Sequence, residues 1–323
     1  MRDHGGNLDG AITRHGGAAA DWIDLSTGIN RVPYPLPPLP PEVWTMLPTR
    51  AATEALIAAA ARHYGCDAPV AVTAGAQAAI QMLPGLAGGA GLARVVSPTY
   101  NEHAAVLRQA GWRVEEVARP ADLAGADLGI VVNPNNPDGA CWPPGHLRAL
   151  AGRVGRLVVD ESFGDVAPAL SMLPEAGRAG LLVLRSFGKF WGLAGARLGL
   201  VYGSAADVAV LVALAGPWPV SGAGLEIGRV AFGDLAWAAA TRARLEAEVA
   251  RIDALATGGA GWQVVGGTAL FRLYRTPDAA GAQGRLAQAR IWSRRFPWHD
   301  TWLRLGLPGT EAEWARLAGA LRP

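Results

Sequence analysis

Cysteine is scarce in this chain. Its two thiols, Cys66 and Cys141, lie far apart and form no CxxC pair. That excludes a disulfide framework and a cysteine-built zinc site, and it reads as the reduced thiols of a cytoplasmic protein. Long apolar runs are missing as well. The longest, such as Leu181-Leu182-Val183-Leu184, fall far short of a membrane span, and Met1-Arg2-Asp3-His4-Gly5-Gly6-Asn7 has no apolar core of a signal peptide. Charge of one sign is not in excess. With 29 basic and 27 acidic residues the net charge is +2, and no basic block marks a nucleic-acid partner. Glycine (42) and proline (23) are plentiful but follow no period, which excludes collagen-like and low-complexity chains. Lysine, by contrast, is almost absent. A soluble protein without membrane, metal or nucleic-acid partner is the expectation.

What is present is an alternation. Half of the 323 residues are apolar, enough for a sizeable core and about two domains. Short strand-like runs occupy 70–73, 94–97, 113–117, 128–132, 157–160, 181–184 and 198–202, and helical patterns fall between them at 51–63, 77–83, 102–110 and 144–153. Continuous apolar strands alternating with helices predict an α/β fold, a mostly parallel seven-stranded sheet covered on both faces. In such sheets functional residues gather at the carboxyl ends of the strands. A large domain is expected over 46–214. The proline-dense 33–41 reads as a stiff extended connector. A helix over 235–256, strands at 262–265, 269–273 and 302–305 and a final helix from Glu311 suggest a smaller α+β domain, made of 1–45 and 215–323.

The run with most chemistry is Ser186-Phe187-Gly188-Lys189-Phe190-Trp191-Gly192-Leu193-Ala194-Gly195-Ala196-Arg197-Leu198-Gly199. A lysine directly after an apolar strand, framed by glycines, is poorly placed as a solubility residue. A cationic or desolvating neighbourhood lets such an amine attack an aldehyde, while Ser186 and Arg197 can hold a phosphate. Asp160 closes the apolar run Leu157-Val158-Val159. A carboxylate there needs a cation or donor, and the protonated ring nitrogen of pyridoxal phosphate is one; keeping it protonated makes the ring an electron sink. Asn136, in Asn133-Pro134-Asn135-Asn136-Pro137, offers an amide to the ring oxygen. Gly75, Ala76 and Gln77 open a helix, where backbone N–H groups can approach a phosphate. Tyr100, in Ser97-Pro98-Thr99-Tyr100, offers a stacking face.

In this order the motifs resemble the fold-type I pyridoxal-phosphate enzymes of the class I/II aminotransferase family, in the branch that holds histidinol-phosphate aminotransferases and threonine-phosphate decarboxylases. The resemblance implies pyridoxal 5'-phosphate as cofactor, held by Lys189, with Asp160 on the pyridine nitrogen and Asn136 on the ring oxygen. Ser186, Arg197 and the Ala76 and Gln77 amides would hold its phosphate, and Tyr100 would stack on the ring. Arg304, in Trp302-Leu303-Arg304-Leu305-Gly306, matches the arginine for the substrate carboxylate. It also implies a homodimer.

Two departures stand out. The branch's aminotransferases carry a tyrosine where this chain has Phe163, and the cross-subunit phosphate tyrosine would fall at Leu47. The first favours decarboxylation of a phosphorylated amino acid, L-threonine O-3-phosphate, over amino transfer to histidinol phosphate or an aromatic amino acid; a non-catalytic sensor on the same fold is the remote third reading. His4-Gly5-Gly6-Asn7 and Asp24-Leu25-Ser26-Thr27-Gly28-Ile29-Asn30 resemble the entry segment of the threonine-phosphate decarboxylases, which makes His4 and Asn30 candidates for the substrate's own phosphate, with Arg294 or Arg295 supplying charge.

Overall fold

The computed structural model describes residues 4–87 and 89–322; the outermost residues of the expected small domain, Met1–Asp3 and Pro323, lie outside them. The chain separates into two compact units, 34–136 with 140–238, and 1–33 with 137–139 and 239–323.

The larger unit is built on a seven-stranded sheet. Its strands are β1 (Val70–Thr73), β2 (Leu92–Val96), β3 (Arg113–Val117), β4 (Leu128–Val132), β5 (Arg156–Asp160), β6 (Leu181–Ser186) and β7 (Gly199–Tyr202). Their spatial order is β1-β7-β6-β5-β4-β2-β3. Only β7 runs against its neighbours β1 and β6; the other pairings are parallel. Every residue of β4 is buried, which is why this strand reads as an unbroken apolar run.

Side chains alternate across the sheet. Ile130, Val158, Leu182 and Leu184 share one core with Ile80 and Leu107. The last two lie on α2 (Gly75–Met82) and α3 (Glu102–Gln109). The same alternation carries Val132, Asp160 and Ser186 out on the α2/α3 face at the carboxyl ends of their strands. Glu161 and Arg185 leave on the opposite face. There Arg185 pairs with Glu161 at 2.8 Å and with Asp165, and its guanidinium lies 4.4 Å from the Tyr64 ring centroid.

The unit boundaries differ from the expected 45/46 and 214/215. Residues 34–45 and 215–238 belong to the larger unit. One reason is the helix Gly222–Gly233, which lies along α1 (Arg50–Tyr64). A Cβ on its Gly228 would stand 2.8 Å from Leu56 and 2.4 Å from Leu198. Another is Tyr34. Its N–H donates to the Trp191 carbonyl at 2.8 Å, and its ring meets Trp191 and Trp237 edge-on. The proline-dense stretch thus begins on an anchored, buried residue.

The smaller unit holds a four-stranded antiparallel sheet of β8 (Gln263–Thr268), β9 (Phe271–Arg275), β10 (Arg294–Phe296) and β11 (His299–Gly306), in the order β10-β11-β9-β8. β10 is the edge strand that the sequence offered as the alternative setting of Arg294 and Arg295. Leu25, Ile252, Trp262, Tyr274, Leu303 and Trp314 share its core. The short segment Pro137–Gly139 joins this unit through a glycine contact: a Cβ on Gly266 would stand 2.1 Å from the Asp138 carbonyl oxygen.

Candidate active site

In the larger unit a cavity of about 170 Å³ opens at the carboxyl ends of the strands. Gly75, Ala76 and Gln77 line it from the start of α2, and Tyr100 and Asn136 from the turns after β2 and β4. Asp160, Ser186, Lys189 and Arg197 complete its polar wall. The structure therefore collects in one cavity all the residues expected around the cofactor.

Each is placed by local structure. Gly75 has φ +78°, a left-handed conformation natural to glycine. A Cβ there would come within 3.0 Å of the Arg197 guanidinium. Gly199 backs the same turn, where a Cβ would stand 2.6 Å from the Gly75 carbonyl carbon and 2.7 Å from the Ala76 nitrogen. Arg197 itself is left-handed, with φ 49°, a conformation that costs energy for a non-glycine residue; its Nη1 donates to the Ala194 carbonyl at 3.2 Å. Helix-start amides, a serine hydroxyl and a guanidinium thus converge, a donor set suited to a phosphate dianion.

Asp160 is 2% exposed. Its Oδ1 accepts from the Ser162 N–H at 2.9 Å and from the Ser162 hydroxyl at 2.5 Å. Its Oδ2 accepts from His103 Nε2 at 2.8 Å. Burial pushes this carboxyl up, but the hydrogen bond and charge of His103, with the hydrogen bonds of Ser162, outweigh it and hold Asp160 below the usual carboxylate range. The other imidazole nitrogen, Nδ1, is buried without a hydrogen-bond partner among the described residues.

Lys189 is the only lysine in the chain. Its Nζ lies 5.7 Å from the Phe163 ring centroid, and Phe163 lines the cavity without a hydroxyl. Of the neighbouring asparagines, Asn133 bonds to Trp142 and Asn135 to Pro98 and Thr99; Asn136 is the one that reaches the cavity.

The expected substrate residues lie in the smaller unit. Arg304 is buried, donates from Nη2 to the Ser26 carbonyl at 2.8 Å and lies 4.9 Å from the Phe271 ring centroid. Arg294 faces it across the β10–β11 ladder. Burial pushes the Arg304 guanidinium down to about 9 and Arg294 pushes the same way, with Asp24 opposing. It remains charged at neutral pH, and an arriving anion relieves the repulsion. A cavity of about 420 Å³ in this unit is lined by His4, Arg294 and Arg295, with Arg14 and His299. Asn30 is not among its lining residues. Its Oδ1 accepts instead from Arg244 at 2.8 Å and from the Val32 N–H at 3.1 Å.

Four contributors escaped the motif reading: His103, Ser162, Arg14 and His299. A histidine three residues past Tyr100 was the available signal for the first. Among the described residues no cluster of three metal-ligating side chains occurs, and no helix is long and apolar enough to cross a membrane.

The family described as aminotransferase class I and II matches residues 42–321, and the chain belongs to it. Over 98% of its length it is 44% identical to a threonine-phosphate decarboxylase of Sinorhizobium sp, of which 97% is covered. A threonine-phosphate decarboxylase of Pseudomonas aeruginosa is 43% identical, over 99% of this chain and 97% of that one. Among solved structures, histidinol-phosphate aminotransferase from Sinorhizobium meliloti in complex with pyridoxal-5'-phosphate superposes with a TM-score of 0.81. It is 20% identical, over 97% of this chain and 93% of that one. The fold is that of the fold-type I pyridoxal-phosphate enzymes.

Proposed function

We propose that this protein is a pyridoxal-phosphate-dependent decarboxylase of L-threonine O-3-phosphate, releasing CO2 and (R)-1-amino-2-propanol O-2-phosphate in cobalamin biosynthesis. The observation that carries the reading is the 44% identity, over nearly the whole of both chains, to a threonine-phosphate decarboxylase.

The residues of the cavity fit the cofactor. The cradle of Gly75, Ala76, Gln77, Ser186 and Arg197 suits its phosphate, Tyr100 gives a face for its ring, and Asn136 gives a donor for its ring oxygen. Asp160, buried and held below the usual carboxylate range, would keep a proton on the ring nitrogen. When bound, pyridoxal phosphate supplies an electron sink conjugated to the α-carbon of an amino acid. Lys189 would hold the aldehyde, and its Nζ would deliver the proton that takes the place of CO2 at the substrate's α-carbon. Phe163 leaves the ring oxygen without the phenolic donor that the aminotransferases carry. Arg304 is assigned to the substrate carboxylate. Arg294, Arg295 and His4, which line the cavity of the smaller unit, are assigned to its phosphate; Asn30, bonded to Arg244 and Val32, is left out of that assignment. Two anchored anions fix rotation about the α-carbon, so distal binding energy selects the bond that breaks.

The test is a comparison of L-threonine O-3-phosphate with L-threonine. The phosphate ester is expected to be decarboxylated with a kcat/KM higher by two orders of magnitude or more, roughly the worth of a charge-assisted phosphate grip. Equal values for the two would contradict it.

The reading extends to a cytoplasmic homodimer. Trp44, Met46, Leu47 and Trp218 are each more than half exposed, large apolar side chains that a partner subunit would cover. Leu47 brings no hydroxyl to a partner's cofactor phosphate.

A further inference from the structure

Gln77 stands where two grips on the cofactor meet. Its backbone N–H belongs to the first turn of α2, at the phosphate cradle. Its side chain makes two further hydrogen bonds. Nε2 donates to Oε2 of Glu102 at 3.1 Å, and Oε1 accepts from the Tyr100 hydroxyl at 3.0 Å. Glu102 is buried, 5% exposed, and is the first residue of α3, where a carboxylate is favoured by the helix dipole.

The chemistry of the groups sets the direction of this chain. A carboxylate only accepts, so the amide must turn Nε2 toward Glu102 and Oε1 toward Tyr100, and the phenol must be the donor. We propose that Gln77 is a positioning residue whose link to Glu102 and Tyr100 ties the stacking ring to the phosphate-binding start of α2, so that the cofactor's ring and phosphate are gripped as one unit. The phenol's proton is then held by Gln77. Tyr100 serves as a face rather than as a donor to the ring oxygen, and with Phe163 in the cavity that task falls to Asn136.

The inference rests on the cavity holding pyridoxal phosphate, and the experiment separates the two. Cofactor is titrated into resolved apoprotein of the parent, Gln77→Leu, Tyr100→Phe and the double variant, and the melting temperature of each apoprotein is recorded. A parent that binds no pyridoxal phosphate contradicts the underlying assignment. With a parent that binds, either single variant is expected to raise the Kd about three- to tenfold, the worth of one hydrogen bond. The second substitution should then add less than about a further twofold, because both break the same link. Increments that multiply, or a Gln77→Leu protein that binds as the parent does, overturn the proposal. Should Gln77→Leu fail to fold, Glu102→Gln serves in its place. It gives Gln77 an amide partner and frees its orientation, so Tyr100→Phe should cost less in that background than in the parent; an equal cost overturns the proposal.

Discussion

At the scale of single residues, Lys189 is the proposed covalent anchor. Because the chain has no other lysine, borohydride reduction of the cofactor-loaded protein should place the label on the Lys189 peptide, read by mass spectrometry. Lys189→Ala should lower kcat by about 10²–10⁴-fold, the span of a lost acid–base group. Asp160 carries a pH dependence. Its native value lies below the ordinary carboxyl value, so its stabilising contribution is fully present above about pH 4 and is lost as pH falls through the depressed native value. His103→Ala removes the main partner that offsets burial. The stability gap between parent and variant should therefore widen as pH rises from 4 to 7, measured by urea unfolding at each pH; a gap of constant size would count against the assigned role of His103. Arg304 presents the opposite balance. Its charge is disfavoured by burial and by Arg294, so Arg304→Met should leave the apoprotein at least as stable while raising KM for threonine phosphate by roughly 10- to 100-fold. Thermal unfolding and steady-state kinetics read the two halves separately.

At the scale of elements, the turn between β1 and α2 is the most sensitive part of the cradle. Gly199→Ala places a methyl 2.6 Å from Gly75 and 2.7 Å from Ala76. The expected result is a folded protein that has lost about 1–3 kcal/mol to overpacking and binds pyridoxal phosphate at least about tenfold more weakly, measured by equilibrium titration. The legibility of the chain divides at this scale. Asp160, Ser186, Lys189 and Arg197 were readable because strand ends and the loop after β6 present them in short contiguous runs. The core strands were readable because burial on both faces makes them apolar throughout. His103, Ser162 and the Gln77–Glu102 link were not. His103 meets Asp160 only when the sheet order β5-β4-β2 brings the turn after β2 to the end of β5, and Gln77 meets Glu102 only when the starts of α2 and α3 come together; Ser162 bonds Asp160 two residues away, but a serine in a turn carries no mark of that role. Arg294 and Arg295 remained alternatives for the same reason, since pairing with β11 decides which of the two faces Arg304.

At the scale of the molecule, the sequence divided the chain into a large cofactor-binding part and a smaller part made of both termini, but it drew the boundaries at residues where proline and glycine are dense. Packing moved them. Tyr34 and the helix Gly222–Gly233 are held by aromatic and aliphatic contacts to Trp191 and Leu56, and a composition change does not reveal such contacts. The same scale carries the assembly. Sedimentation is expected to show a dimer, and Trp44→Glu together with Trp218→Glu should shift it toward monomer; a parent that sediments as a monomer would contradict the homodimer. The function turns on which α-carbon bond breaks. The most direct measurement is a single reaction of the holoenzyme with carboxyl-labelled L-threonine O-3-phosphate in the presence of 2-oxoglutarate, with labelled CO2 and glutamate counted together. A decarboxylase releases one CO2 for each substrate consumed and forms no stoichiometric glutamate. Glutamate formed in step with substrate loss, with the label retained in an oxo acid, would contradict it.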